Sequence, residues 1–245
     1  MSASSHVPTS GQIVNGIEPN TFVAKTVKFV EEQLPQWRDD KSRPVVEAEE
    51  DMNGQLCKFL NDRARDHFPM ANFHHEEKQG KRRRVDLSVV PSTKAIEVAL
   101  YDSIYVPFLV IEGKRLPAPS VSREREYVTG LGKVSGGIQR FRMGLHGRDL
   151  SKALMVAYVQ KEDVAEWHTR INGWITALES TGEDKTCDWT GSDSLSDLVT
   201  NGVSKTCRCE SSHLRKDLLG IRLVHLWVCM PSKAKITKKT KNYPV

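Results

Sequence analysis

The chain has 245 residues with a net charge of +5, and 38% of them are hydrophobic and 27% charged. This composition is typical of a globular protein with one substantial core, and no apolar run approaches the ~20 residues that span a bilayer. The first residues lack the basic and apolar regions of a secretory signal, so we expect a cytoplasmic protein. The five cysteines favour reduced thiols over a disulfide framework.

The chain divides into three parts by composition. Residues 1–20 contain Ser, Thr, Pro and Gly without any period, and they predict a flexible N-terminal arm. Residues 21–230 predict a single domain whose core lies at 45–178. Residues 231–245 are rich in lysine and predict a basic tail on a solvated surface.

Two amphipathic helices are predicted before the first strand. Residues 21–37 have apolar side chains at helical spacing and predict a short helix that ends at Pro35. Residues 45–67 predict the clearest helix, and its apolar stripe extends back to Glu49. An unpaired buried carboxylate is costly, so Glu49 is a candidate functional acid. The alternative is an acid favoured by the positive end of the helix dipole.

Two predicted strands bring acids and a lysine together. Residues 85–90 predict a strand that contains Asp86, and a continuous apolar run at 108–111 predicts a buried strand that leads into Glu112 and Lys114. Side chains alternate along a strand, so Glu112 and Lys114 point to the same side. If the strands pair, Asp86 joins them. Two carboxylates then form a site for a hard divalent cation, Mg²⁺ or Mn²⁺.

The other segments complete the predicted sheet. Residues 73–76 predict a first strand, and 95–106 either lengthen its hairpin with the Asp86 strand or form an added element, with Glu97 and Asp102 as weaker candidate acids. The later segments predict two short helices at 123–147, a strand at 154–159, a helix from Asp163, an exposed polar excursion at 180–200, and two antiparallel edge strands at 204–214 and 220–230.

These features together resemble the PD-(D/E)xK nuclease superfamily. The resemblance lies in Asp86, in Glu112-Gly113-Lys114, and in Glu49 followed at three and seven residues by Met52 and Leu56. It implies an α/β protein with a restriction-endonuclease-like αβββαβ core, in which helices flank a central mixed sheet and C-terminal strands are added. It also implies a divalent-metal-dependent nuclease that hydrolyses DNA, of the kind that serves bacterial defence against phage.

The resemblance further implies roles for individual residues. Asp86 and Glu112 are expected to bind Mg²⁺ or Mn²⁺, and Glu49 to assist through a water molecule or a second ion. Lys114 is expected to orient the attacking water or to stabilise charge in the transition state. By its position in the helix after the third strand, Gln139 is expected to reach that water or the scissile phosphate.

Basic residues lie close to the motif in sequence. Lysine and arginine neutralise phosphates, so we expect nucleic-acid contacts from six residues: Lys81, Arg82, Arg83, Arg84, Arg115 and Arg140. A solvated basic face is the alternative for 81–84. DNA is the expected partner, with RNA left open, and a regulatory protein and a homodimer are further expected partners.

Two alternatives remain open at this point. The chain is either the nuclease described above or a catalytically inactive nucleic-acid-binding or interaction module on the same fold. Cys187, Cys207, Cys209 and His213 form a weaker candidate zinc site, because their spacing matches no standard finger or ribbon. We expect His213 and His225 to be structural hydrogen-bonding residues instead.

Overall fold

The computed structural model describes residues 19–79, 83–130 and 132–231. The strands within them are β1 (Ala71–Lys78), β2 (Arg84–Pro91), β3 (Leu109–Leu116), β4 (Lys152–Val159), β5 (Val199–Asn201), β6 (Thr206–Arg215) and β7 (Leu218–Cys229). The α-helices are α1 (Pro19–Asp39), α2 (Glu49–His67), α3 (Thr93–Glu97), α4 (Gly137–Arg142) and α5 (Val164–Thr181). Short 3₁₀ helices lie at Val121–Tyr127 and Gly191–Asp193.

The described strands form one seven-stranded mixed sheet in the order β1-β2-β3-β4-β7-β6-β5. The pairs β1–β2, β2–β3, β6–β7 and β5–β6 are antiparallel, whereas β3–β4 and β4–β7 are parallel. The central strands β3 and β4 are buried along almost their whole length. This burial on both faces explains why each reads as a continuous apolar run. The prediction of an α/β protein with a mixed sheet between helices is confirmed.

Helices cover both faces of the sheet. One apolar cluster joins α1 and α2 to one face, and it includes Leu34, Trp37 and Leu56. The second cluster joins the segment 127–141 and α5 to the opposite face, and it includes Phe141 and Trp167. α5 starts after Asp163 as predicted, because the Asp163 carboxylate accepts a hydrogen bond from the backbone N–H of Ala165 at 2.7 Å.

The predicted end of the first helix at Pro35 is wrong. α1 continues through Pro35 to Asp39, although a proline inside a helix costs about 3 kcal/mol. Leu34 and Trp37 on either side of it are both 1% exposed. Burial of these two large side chains offsets the lost backbone hydrogen bond. The segment 95–106, which the sequence left open, contributes an added element, the short helix α3.

The strand pair near the C-terminal end of the described chain is antiparallel as predicted, but neither strand is an edge strand. β7 lies between β4 and β6 and pairs in parallel with β4 along Lys152–Val159, and β6 lies between β7 and β5. Residues 223–228 of β7 are buried without interruption, and such burial on both faces requires a neighbour on each side. The edge on this side of the sheet is the short exposed strand β5.

The prediction that 180–200 is an exposed excursion holds for most of its residues but fails at four of them. Asp184, Trp189, Asp193 and Leu195 are buried there and pack under α5 and β6. The predicted arm and tail lie outside the described residues, except for 19–20 and 231. No helix in the described part of the chain is long and apolar enough to cross a membrane.

Candidate metal centre

The pairing of β2 with β3 brings Asp86 to the Glu-Gly-Lys motif. Leu87 lies opposite Ile111 in this antiparallel pair. Asp86, the residue before Leu87 on β2, therefore lies beside Glu112, the residue after Ile111 on β3. The backbone N–H of Gly113 donates a hydrogen bond to Asp86 Oδ2 at 2.8 Å. The two acids therefore meet at the end of a buried strand.

The first residue of α2, Glu49, lies over the same strand end. Its Oε1 accepts a hydrogen bond from Lys114 Nζ at 3.0 Å, and its Oε2 accepts one from the backbone N–H of Arg115 at 2.8 Å. Both carboxylate oxygens of Glu49 are thus used to join α2 to β3. We call Glu49, Asp86, Glu112 and Lys114 the acidic cluster.

Asn53, which the sequence reasoning missed, fixes the approach of α2 to β3. It lies one turn after Glu49, is 1% exposed, and accepts a hydrogen bond from the Tyr158 hydroxyl at 2.7 Å. A Cβ atom on Gly113 would lie 1.9 Å from Asn53 Oδ1. Only glycine therefore fits at position 113, between Glu112 and Lys114. The available signal was the i, i+4 spacing of Glu49 and Asn53, which places them on one helix face.

Lys114 and Glu112 form the buried centre of the cluster. Lys114 Nζ lies 2.9 Å from Glu112 Oε1, and Arg140 Nη1 of α4 lies 3.0 Å from the same oxygen. Burial alone would raise the pKa of Glu112, but Lys114, His146 and Arg140 hold it well below its ordinary value. Burial alone would lower the pKa of Lys114, but the surrounding carboxylates raise it above its ordinary value. Both groups are therefore charged.

His146 is a second residue that the sequence reasoning missed. It is 2% exposed, and its Nδ1 lies 3.3 Å from Glu112 Oε2. Neither atom has another hydrogen-bond partner in the described chain. The ring packs edge-on against Phe141, whose ring centroid is 5.7 Å away. No spacing rule links this loop histidine to Glu112, so its sequence offered no signal.

Asp86 has the most unfavourable environment of the cluster. Its burial and the nearby carboxylates of Glu112 and Glu49 raise the pKa of Asp86 to about 8, against the opposing effects of Lys114 and the Gly113 N–H. At neutral pH this carboxyl group therefore holds a proton. A divalent cation at this position would favour the ionised form and would relieve the repulsion between the two acids.

The carboxylate oxygens of the cluster fit a hard cation, but the described residues supply only two such ligands at this point. Asp86 and Glu112 supply carboxylate oxygens, and Mg²⁺ is usually bound through one or two carboxylates together with water and substrate phosphates. Within residues 19–79, 83–130 and 132–231, no three His, Cys, Asp or Glu side chains are grouped to hold a metal ion. The geometry thus favours Asp86 and Glu112 as ligands and leaves Glu49 bound to Lys114 and Arg115.

The structure does not bring Gln139 to the cluster. Its side chain is buried, accepts hydrogen bonds from the N–H groups of Gly130 and Gly136, and donates to Asp184 and Thr186. The position next to it, Arg140, reaches Glu112 instead. Gln139 and Arg140 are consecutive residues of α4, which begins at Gly137. Consecutive side chains of a helix point in directions about 100° apart, so only Arg140 faces the cluster.

The predicted nucleic-acid-binding residues have different environments. Lys81 and Arg82 lie outside the described residues, whereas Arg83 and Arg84 are exposed on the β1–β2 hairpin. Arg84 forms an ion pair with Glu76. Arg115 donates to the backbone oxygens of Pro117 and Glu47, and Arg140 is paired with Glu112.

A second buried polar region lies under α5, where β6 and β7 face the 3₁₀ helix Gly191–Asp193. We call it the histidine network, and it comprises Tyr127, His225, Ser211, His213 and Asp193. The successive hydrogen bonds are Tyr127 OH to His225 Nδ1 (2.8 Å), His225 Nε2 to Ser211 Oγ (2.8 Å), Ser211 Oγ to His213 Nε2 (2.7 Å) and His213 Nδ1 to Asp193 Oδ1 (2.7 Å).

The direction of every proton in this network follows from its two ends. Trp227 Nε1 can only donate, and it donates to the Tyr127 hydroxyl at 2.9 Å, so that hydroxyl donates to His225 Nδ1. At the other end the Asp193 carboxylate only accepts, so His213 Nδ1 carries a proton, and burial lowers the pKa of His213, which favours a neutral ring with an unprotonated Nε2. In this arrangement Ser211 accepts from His225 Nε2 and donates to His213 Nε2. Burial lowers the pKa of His225 to about 3, which keeps this ring neutral.

This network has the connectivity of a Ser-His-Asp triad but not the access that catalysis requires. Ser211 is 3% exposed and lies between two histidines, both of which are buried. The prediction that His213 and His225 are structural hydrogen-bonding residues is confirmed. Because both His213 nitrogens are already used, the zinc site with Cys187, Cys207 and Cys209 lacks its nitrogen ligand.

Comparisons with protein-family models, curated proteins and solved structures find no match.

Proposed function

We propose that this protein is a divalent-metal-dependent nuclease that hydrolyses phosphodiester bonds of DNA. The observation that carries the proposal is that Asp86 on β2, bound to the backbone N–H of Gly113, lies beside the ion pair of Glu112 and Lys114 on β3. Two acids and a lysine brought together at one strand end are the groups that a metal and phosphate site requires.

The order of elements around the cluster supports the same proposal. α2, β1, β2, β3, α4 and β4 occur in this order along the chain, with the short helix α3 between β2 and β3 and a 3₁₀ helix between β3 and α4. Apart from these two short helices, the order corresponds to the αβββαβ order of the nucleases that the sequence resembles. The antiparallel β1–β2–β3 unit continues into the parallel strand β4. We propose a restriction-endonuclease-like core on this basis, with β5, β6 and β7 as additions beyond β4.

Asp86 and Glu112 would hold the ion, and Mg²⁺ or Mn²⁺ bound there supplies Lewis-acid polarisation of the phosphodiester and acidification of a water molecule. Asp86 would hold the ion as a carboxylate, so ion binding would release the proton that its raised pKa retains near neutral pH. Glu49 positions Lys114 and the backbone of Arg115.

Lys114 supplies a fixed positive charge where the phosphoryl oxygens become more negative. Its ammonium is held by Glu49 and Glu112 at 3.0 and 2.9 Å, so it is oriented before substrate binds. Arg140 is 30% exposed in its side chain and reaches Glu112 from α4. Once a cation neutralises Glu112, the guanidinium of Arg140 is available to contact a substrate phosphate.

The alternative from the sequence, an inactive binding module on the same fold, makes a different prediction about metal. A module without the reaction has no reason to keep two crowded acids beside a lysine. A metal-dependent rise in melting temperature would separate the two, because a ligand that binds only the folded state stabilises it.

The direct test is cleavage of supercoiled plasmid in Mg²⁺, Mn²⁺ or EDTA by the wild type and by the double variant Glu112→Ala/Lys114→Ala. A matched control is Glu210→Ala/Arg222→Ala, which removes another ion pair (2.7 Å) on β6 and β7. We expect nicking or linearisation that requires metal, vanishes in the first variant and persists in the control. Failure of the wild type to cleave, together with no metal-dependent stabilisation, would contradict the proposal.

A further inference from the structure

A cationic cleft lies beside the acidic cluster. It has a volume of about 450 Å³ and is formed by the end of the β1–β2 hairpin, the start of β3 and the loop 144–150. Lys78, Arg83 and Arg148 line it with positive charge, against one acid, Asp149. Val110 contributes to its apolar lining. We call this surface the hairpin–loop cleft.

The hairpin–loop cleft is adjacent to the proposed metal site. Val110 lies two residues before Glu112 on β3, on the same side of the strand and about 6.6 Å away along it. His146, which faces Glu112 at 3.3 Å, lies between the cleft residues Leu145 and Gly147. A chain with phosphate at the cluster therefore has its neighbouring nucleotide within reach of the cleft.

The wall of the cleft is held in place by buried polar contacts. Arg215 is 7% exposed and donates to the backbone oxygens of Gly147 and Leu150 at 2.9 and 2.8 Å. The N–H of Gly147 donates to Gln79 Oε1 at 3.2 Å, which joins the loop to the hairpin. The cleft is thus formed before any ligand binds, and a preformed surface binds at a lower entropic cost.

Exposed apolar side chains lie next to the cleft, in the segment that leads into its residue Val106. Ile104, Tyr105 and Val106 are 37%, 83% and 63% exposed, and Val106 lines the cleft itself. Exposed apolar surface beside charged residues is a candidate binding surface, and this stretch reaches the cleft at Val106. An aromatic ring beside a positively charged groove is the arrangement that binds an unpaired strand, because bases stack on the ring while cations contact phosphates.

We infer that the hairpin–loop cleft binds an unpaired nucleotide of a DNA strand next to the bond that is cut. This inference rests on the proposed nuclease function and adds a substrate class, a single strand or a frayed end. In closed duplex the faces of each base are covered by neighbouring base pairs, so Tyr105 has no face to stack on. The cationic residues contact phosphates of either form.

The test is fluorescence anisotropy of a labelled oligothymidylate and of a labelled blunt hairpin duplex, both in EDTA. The variants are Tyr105→Ala and Arg148→Glu. Their controls are Leu214→Ala, at a side chain 84% exposed on β6, and Arg65→Glu at the opposite end of α2 from Glu49. We expect Tyr105→Ala to weaken binding of the single strand about fivefold or more, and binding of the duplex less than about twofold.

Arg148→Glu should weaken binding of the single strand as well and reduce its salt dependence by about one phosphate contact, while both controls bind like the wild type. Unchanged single-strand affinity in both variants would overturn the inference, as would an equal loss for duplex in Tyr105→Ala. Because EDTA prevents cleavage, the two proposals fail separately. Strand binding with neither plasmid cleavage nor metal-dependent stabilisation contradicts the nuclease, and cleavage with unaffected variants contradicts the cleft.

Discussion

The acidic cluster and the histidine network are both buried and polar, but they satisfy their polar groups in opposite ways. In the network each donor has one acceptor, and burial lowers the pKa of both histidines, which keeps them neutral. In the cluster, Glu112 Oε2 and His146 Nδ1 have no other partner among the described residues than each other at 3.3 Å, and the pKa of Asp86 is raised to about 8.

This difference is the reason that we propose a function for the cluster and a structural role for the network. Buried polar groups in a folded protein are normally paired, so a fully paired network needs no ligand to explain it. Burial and the neighbouring carboxylates oppose ionisation of Asp86 in the cluster, and a bound cation would favour it. The proposal therefore concerns the cluster, although the network has triad-like connectivity.

The largest expected effect comes from Lys114→Ala. Removing the positioned ammonium should reduce the cleavage rate by about 100-fold to 1,000-fold, while binding of DNA in EDTA changes little. Plasmid nicking measures the first quantity and anisotropy the second. Lys152→Ala at the start of β4 is a control for loss of one positive charge. Cleavage by Lys114→Ala at the wild-type rate would show that the acidic cluster does not take part in the reaction.

Gly113→Ala should disturb the cluster through packing. The new Cβ would lie 1.9 Å from Asn53 Oδ1, so α2 and Glu49 must shift, and overpacking of this kind costs about 1–3 kcal/mol. The matched control is Gly173→Ala on the exposed face of α5, where nothing lies within 4 Å, and it should stabilise by about 0.5–1 kcal/mol. Urea unfolding of both variants measures the difference, and equal stabilities would refute the close approach of α2.

Ser211→Ala should lower stability and leave cleavage unchanged, whereas Lys114→Ala should lower cleavage. It leaves the N–H of His225 and the Nε2 of His213 without partners, at a cost of about 1–3 kcal/mol in the free energy of unfolding. Cleavage per folded molecule should be unchanged. Ser212→Ala, the exposed neighbour on the same strand, is the control and should unfold like the wild type. A loss of cleavage without a loss of stability would give the network a catalytic role.

The smallest effect concerns Asp86 and pH. The pKa of its carboxyl is raised in the folded state, so metal-free protein loses stability as pH rises from about 4 to about 8. Asp86→Asn removes this loss and should raise the melting temperature in EDTA near pH 9, with a smaller rise near pH 5. Thermal melts at both pH values measure it. The same pH slope in both proteins would show that Asp86 is ionised throughout.

The cluster could be predicted from sequence because local rules determine it. Alternation along β3 places Glu112 and Lys114 together, strand pairing adds Asp86, and helix periodicity adds Glu49. The role expected for Gln139 failed because a six-residue helix has no stripe that fixes its phase. His146 depends on a loop conformation.

The longer-range errors have a common physical origin. The continuation of α1 through Pro35 depends on the burial of Trp37, and the central place of β7 depends on a parallel partner, β4, whose Lys152 pairs with Arg222 seventy positions later. Neither appears in a local pattern, because tertiary contacts override propensity at both positions.

The position of β7 also has a consequence for synthesis on the ribosome. All residues of the acidic cluster have been translated once Lys114 is made, but the sheet beside them closes only after Cys229 leaves the exit tunnel. Until then β4 presents an apolar strand with unpaired backbone groups, which is a template for wrong partners. The nascent chain therefore carries a complete set of proposed catalytic residues long before it has the rigid sheet that would align them.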